Sequence, residues 1–113
     1  MSCLFCKIIA NEIPARTVYE DETVLAFEDL NPQAPVHVLI IPKKHISTAL
    51  EIGNDDHALI GHMFQVANSI ARDKKVAERG FRLVMNCNRE SGQSVFHIHL
   101  HLLAGRAMHW PPG

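Results

Sequence analysis

The sequence predicts an α+β domain, an antiparallel meander of about five strands carrying one long helix, with a short helix at its N-terminal end. Three observations predict it. The chain has 113 residues, 47% of them apolar, enough for one core and one domain spanning residues 1–113. Leu59, Met63, Val66 and Ile70 recur at helical spacing and make one apolar stripe. The remaining apolar residues fall in short, β-branched runs separated by polar or Pro-containing turns. A run of helices or strands alone fits none of this, and a sheet with its helices on a face does.

Each element follows in order. Leu4, Phe5, Ile8 and Ile9 are spaced for a short helix from Cys3 to Ala10, which Pro14 stops. Thr17–Tyr19 and Thr23–Phe27 flank the turn Glu20-Asp21-Glu22 and read as a hairpin. Asn31-Pro32-Gln33-Ala34-Pro35 is a rigid loop, because each proline fixes its own φ and restricts the residue before it. Val36 to Ile41 is an apolar strand ended by Pro42. The long helix runs from about Asp55 to Lys74, with Asn54 or Asp55 as its N-cap and Lys74-Lys75 where a C-terminus favours cations. Phe81 to Asn86 is a strand, Arg89 to Gln93 a loop, and Ser94 to Leu103 a final strand, followed by an irregular tail.

Composition narrows the function. The net charge is −1 with histidine neutral, so no broad basic field exists to hold a nucleic-acid backbone. No apolar run is long enough to cross a membrane, and no secretory signal is expected. Three cysteines is an odd count, which favours reduced thiols and a cytoplasmic setting over a disulfide framework. A short chain buries a modest share of its surface, so pairing with a second copy would help it.

The chemistry concentrates in His97-Ile98-His99-Leu100-His101. On a strand, side chains alternate between faces, so His97, His99 and His101 would share one face about 6.6 Å apart. Phe96, Ile98, Leu100 and Leu102 would share the other and pack on the long helix. Packing explains the apolar face and leaves the imidazole face to chemistry. Two readings stay open on the residues alone. The imidazoles could hold a metal that activates water. Alternatively, one attacks an electrophile while its neighbours orient it and neutralise charge.

The sequence resembles the histidine triad (HIT) superfamily, and within it the Hint branch of nucleotide-binding hydrolases. The matching residues are Phe5-Cys6-Lys7-Ile8-Ile9, Glu12-Ile13-Pro14-Ala15, Pro32-Gln33-Ala34-Pro35, Ile41 to Ser47, Gly92 to Phe96, the histidine run, and Met108 to Gly113. The resemblance implies a hydrolase of purine nucleoside 5′-phosphoramidates and acyl-nucleotides, AMP or GMP conjugates, acting through a nucleotidyl-histidine intermediate. It implies that His99 is the nucleophile and that His101 contacts the phosphate. His97 and His45 would complete the hydrogen-bonded set that fixes the tautomer of His99. Ser94 and the backbone near Gln93 and Gly92 would donate to phosphate or leaving group, and Asn86 would line the same site. Asp29 would accept from the ribose hydroxyls, and Phe5, Ile13, Phe27 and Leu30 would form the slot for the base. It also implies a homodimer whose tail, with His109 and Trp110, lies near the partner's pocket.

Cys3 and Cys6 form a C-x2-C pair. Some bacterial relatives carrying it bind a structural zinc, which implies a Cys₂His₂ set of Cys3, Cys6, His45 and His97. No cofactor is expected for the chemistry itself. Two rival functions are a metal-dependent hydrolase using the histidine run as ligands and a non-catalytic nucleotide-binding regulatory module. Lys43-Lys44 reads either as a phosphate-steering patch or as a polar turn.

Overall fold

The computed structural model describes residues 3–113. A short helix α1 (Leu4–Ile9) leads into the hairpin β1 (Thr17–Glu20) and β2 (Val24–Glu28). Strand β3 (Val36–Pro42), helix α2 (His57–Asp73), strand β4 (Phe81–Val84) and strand β5 (Leu100–Ala104) follow. All pairings are antiparallel, and the strand order is β1-β2-β3-β5-β4. The first three strands keep chain order. β5 then inserts between β3 and β4, which leaves β4 at the edge and puts the histidine-bearing segment beside β3.

The central strands are apolar on both faces, and alternation sorts their residues between two cores. On one face Val24, Ala26, Val38, Ile40, Ile98, Leu100 and Leu102 meet Met63, Val66, Ala67 and Ile70 of α2. Leu59 packs on the edge of this core. The opposite residues, Leu25, Phe27, Leu39 and Ile41, gather around Phe5, with Ile8 and Ile9 of α1 against them. Because α1 is only six residues long, it covers part of the second face and leaves the rest open as a cleft.

Helix α2 begins two residues later than the sequence suggests. Asn54–Asp56 form a 3₁₀ turn, Asp56 is the N-cap, and its carboxylate accepts from the Gly53 amide at 2.9 Å. Lys44 binds the same carboxylate at 2.6 Å, and Lys43 pairs with Glu20 at 2.7 Å. The two lysines thus tie the segment after β3 to the end of β1 and to the start of α2. His62, on the surface of α2, reaches Asp21 at 2.6 Å in the β1–β2 turn. Burial alone would raise the Asp21 carboxyl. Hydrogen bonds from Tyr19, His62 and the Thr23 and Val24 amides outweigh it and hold the group well below the usual carboxylate range.

Gly105 ends β5 with φ +93°, and a Cβ there would lie 2.8 Å from Cβ of Pro35. The proline ring cannot rotate away, so strain and overlap act together. Gly105→Ala should lower stability by about 2–4 kcal/mol, read as a fall in the urea midpoint at unchanged slope.

Candidate active site

The final strand is shorter than the sequence predicts. It starts at Leu100, and residues 94–99 form an irregular approach to it. The ladder fails there because the chain is held by other bonds: the Ile98 amide donates to the Ile46 carbonyl at 2.8 Å. Gln93, buried, donates from Nε2 to the carbonyls of Ser47 and Val95 and accepts the Asn88 amide on Oε1. Its side chain is thus a clasp for the loop. Phe96, freed from the expected apolar face, is 48% exposed.

This shortening separates the three histidines. His99 and His101 line a cleft of about 250 Å³ with Phe5, Ile13, Phe27, Asp29, Leu30 and Ser94. Asn86, Gly92 and Gln93 are not among the residues that line it, and the Gln93 side chain is committed to the backbone of Ser47, Asn88 and Val95. His97 stays on the imidazole face, edge-on to the same Phe5 as His99 with Ile98 on the α2 side, but it does not line the cleft: its ring joins Cys3, Cys6 and His45. Of the two residues expected to fix the tautomer of His99, His97 bonds it, through its backbone, and His45 does not touch it. The His97 carbonyl accepts from Nδ1 of His99 at 2.9 Å. With its proton on Nδ1, the neutral ring keeps the lone pair of Nε2 free. Phe5 stacks edge-on against it, with centroids 5.1 Å apart, and fixes its plane.

Sequence reasoning missed His37. It lies buried on β3, on the same face as His101, and its Nε2 is 2.9 Å from Nδ1 of His101. The network sets the tautomers in turn. The Gln33 amide can only donate, so Nδ1 of His37 accepts it at 3.0 Å. The His37 proton is then on Nε2, from which it is donated to Nδ1 of His101. That leaves the His101 proton on Nε2, a buried atom with no hydrogen-bond partner among the described residues. Asp29 stands 3.5 Å from Nε2 of His37 through Oδ2, while its Oδ1 accepts the Asn31 amide. The only hint in the sequence was a single histidine inside an otherwise apolar strand.

Burial keeps these rings neutral. It lowers His99 and His37 from the ordinary histidine range, with Asp29 partly offsetting the shift in both. Burial, then the neighbouring His99 and His37, push His101 down to about 4. The sign for stability follows. Below pH 6.5 the unfolded chain takes up protons that the folded chain refuses, so stability falls as pH drops from 6.5 towards 4 and this contribution then levels. Melting curves should show the loss between pH 6.5 and about 4, and His101→Gln should make that window flatter. Equal slopes in the two proteins would contradict the assignment.

The second cluster has the geometry of a closed metal site. The donor atoms of Cys3, Cys6, His45 and His97 all lie within 4.8 Å of one another. Nδ1 of His97 is 3.4 Å from Sγ of Cys3 and 3.6 Å from Sγ of Cys6. Nδ1 of His45 is 3.3 Å from Sγ of Cys6 and 3.2 Å from Nδ1 of His97. A tetrahedral zinc sets S···N and N···N separations of roughly 3.3–3.6 Å, so these donors fit one. His97 also donates from Nε2 to the Pro42 carbonyl at 2.7 Å, which turns the lone pair of Nδ1 into the cluster. Asp29, His37 and His101 also converge. The triplet His97, His99, His101 does not, so the histidine run is no single ligand set.

Fold and site together define a small hydrolase whose histidines face a cleft beside a short helix. The chain belongs to the histidine triad (HIT) family. Residues 2–110 match the family model described as the scavenger mRNA decapping enzyme C-terminal binding domain. The chain is 49% identical over 105 residues to the purine nucleoside phosphoramidase of Escherichia coli, covering 93% of this chain and 88% of that one. An uncharacterised HIT-like protein of Synechocystis is 54% identical over 110 residues, 97% of this chain and 96% of its own. The crystal structure of a HIT family hydrolase from Legionella pneumophila superposes with a TM-score of 0.97 at 54% identity, covering 99% of this chain and all of that one.

Proposed function

We propose that the protein hydrolyses purine nucleoside 5′-phosphoramidates and acyl-nucleotides through a nucleotidyl-His99 intermediate. The observation that carries this reading is the free Nε2 of a neutral, backbone-anchored His99 in a cleft that His101 also lines, with its buried Nε2–H left without a partner. The likeness to the Escherichia coli phosphoramidase supports the substrate class.

The base lies among Phe5, Ile13, Phe27 and Leu30, and Asp29 accepts from the ribose. Nε2 of His99 forms a bond to the α-phosphorus as the phosphorus–nitrogen bond breaks. The leaving amine departs protonated, with the Ser94 hydroxyl as its proposed donor, and the Nε2–H of His101 binds a phosphate oxygen. Water then adds its oxygen to phosphorus as the phosphorus–imidazole bond breaks and gives one proton back to the Ser94 oxygen, which releases the nucleoside monophosphate and returns both His99 and Ser94 to their starting states. A second hollow, bounded by Leu4, His45, Ser47, Ser94 and Phe96, shares Ser94 with the cleft and is the proposed place of the leaving group.

Cys3, Cys6, His45 and His97 are the proposed zinc ligands. A four-ligand closed site supplies structure and no open position for substrate. Metal analysis of reduced protein should find one zinc per chain. A homodimer is proposed, resting on the edge position of β4 and on Trp110, which is 83% exposed. A monomer by light scattering would contradict it. The three free cysteines favour a reducing compartment, proposed as the cytoplasm. No described helix is long and apolar enough to cross a membrane.

The deciding experiment mixes enzyme with an adenosine 5′-phosphoramidate and acid-quenches within one turnover. Mass spectrometry of the peptide that contains His99 should show one added AMP. Turnover with no adduct at any quench time would point to direct attack by water.

A further inference from the structure

His97 takes part in both sites. Its ring belongs to the cysteine–histidine cluster, and its carbonyl oxygen holds Nδ1 of His99 at 2.9 Å. Because the β5 ladder begins at Leu100, no strand pairing fixes the plane of the His97 peptide. Two anchors on the preceding loop take its place. The His45 ring lies edge-on against the His97 ring, with centroids 4.9 Å apart, and the adjacent Ile46 carbonyl accepts the Ile98 amide at 2.8 Å. From the other side, the Pro42 carbonyl accepts Nε2 of His97.

We infer that the Cys3–Cys6–His45–His97 cluster is a positioning device for the nucleophile, and that His97 and His45 act on the reaction through the carbonyl that orients His99. A metal gripping Nδ1 of His97 fixes its ring. The ring and the peptide carbonyl share one α-carbon, so fixing the one restricts the other. Without the metal, two thiols and two imidazoles are left to weak mutual hydrogen bonds at 3.3–3.6 Å. The Ile46 and Pro42 bonds remain, but the Nδ1 side of the ring is loosened, so the His97 carbonyl is aimed less firmly and the His99 proton is less confined to Nδ1. The inference rests on the zinc-site reading and on His99 as the nucleophile.

The test compares the reduced full-length protein in zinc-loaded, metal-free and cadmium-loaded forms. Cadmium takes the same ligands with longer bonds, so it perturbs His97 even where the metal-free chain is too unstable to measure. The first readout needs no substrate: long-range ¹H–¹⁵N correlations of the His99 ring. The zinc form should show one Nδ1–H tautomer, and the other two should show the ring nitrogens drawn towards a common shift. The second readout is the single-turnover rate of nucleotidyl transfer, expected to fall about tenfold without zinc while AMP affinity stays within about twofold. Readdition of zinc should restore both. Identical His99 spectra and rates across the forms would overturn the inference, as would failure of the cluster to bind zinc. Altered His99 spectra with no nucleotidyl transfer in any form would instead sink the phosphoramidase reading.

Discussion

His99→Ala is expected to lower phosphoramidate hydrolysis by about 10⁴-fold or more while AMP still binds. No other ring in the cleft replaces it. His101 has its lone pair committed to Nε2–H of His37 and offers only a proton. His97 has both ring nitrogens engaged elsewhere. The proposed base and ribose contacts belong to other residues, so the loss should fall on kcat and not on nucleotide affinity. Stopped-flow rates on pure variant, with AMP titrated by calorimetry, check both halves. Retention of wild-type rate would remove His99 from the mechanism. Loss of AMP binding to the same degree as loss of rate would make it a binding residue.

His37→Ala is expected to lower kcat by about 10- to 100-fold with little change in KM. The substitution leaves the Gln33 amide without its acceptor and Nδ1 of His101 without its donor. His101 can then place its proton on either nitrogen, and only one tautomer offers Nε2–H to the substrate. A wrong tautomer is costly in other imidazole-based sites, where misplacing one proton removes most of the rate. His37→Phe keeps the bulk and removes both nitrogens, so it should match the alanine variant if the relay matters and exceed it if packing does. Unchanged kcat in both variants would show that His101 sets its own tautomer.

The elements that stood out in the sequence were those whose signal is local. The α2 stripe was legible because Met63, Val66 and Ile70 face one core at regular spacing, and the β1–β2 hairpin because its turn is polar. The histidine run kept its alternation of faces, and only the start of strand pairing was misplaced. Alternation in the sequence continues back through His97, and nothing local reveals that Ile46 and Gln93 divert the chain before Leu100. Phe5, Ile13, Phe27, Asp29 and Leu30 meet in one cleft although they are scattered along the chain, and the family resemblance, not their spacing, picked them out. His37 was invisible for a related reason: its partner is 64 positions away, and its role exists only once β3 and β5 are side by side. The clasp role of Gln93 was equally hidden, since a glutamine in a loop normally faces water.

The pairing of β3 with β5 has a consequence for how the protein becomes active. Leu39 opposite His101 and His37 opposite Leu103 put both histidines on the cleft side, and a slip of one residue would turn one of them into the α2 core. The intervening chain, with α2 and β4 in it, must fold or be bridged before that pairing closes, and distant pairings are the slow ones to form. A refolding chain should therefore regain helical signal before it regains catalytic power. Activity in a partly refolded sample would count only the molecules whose last long-range pairing is already in register.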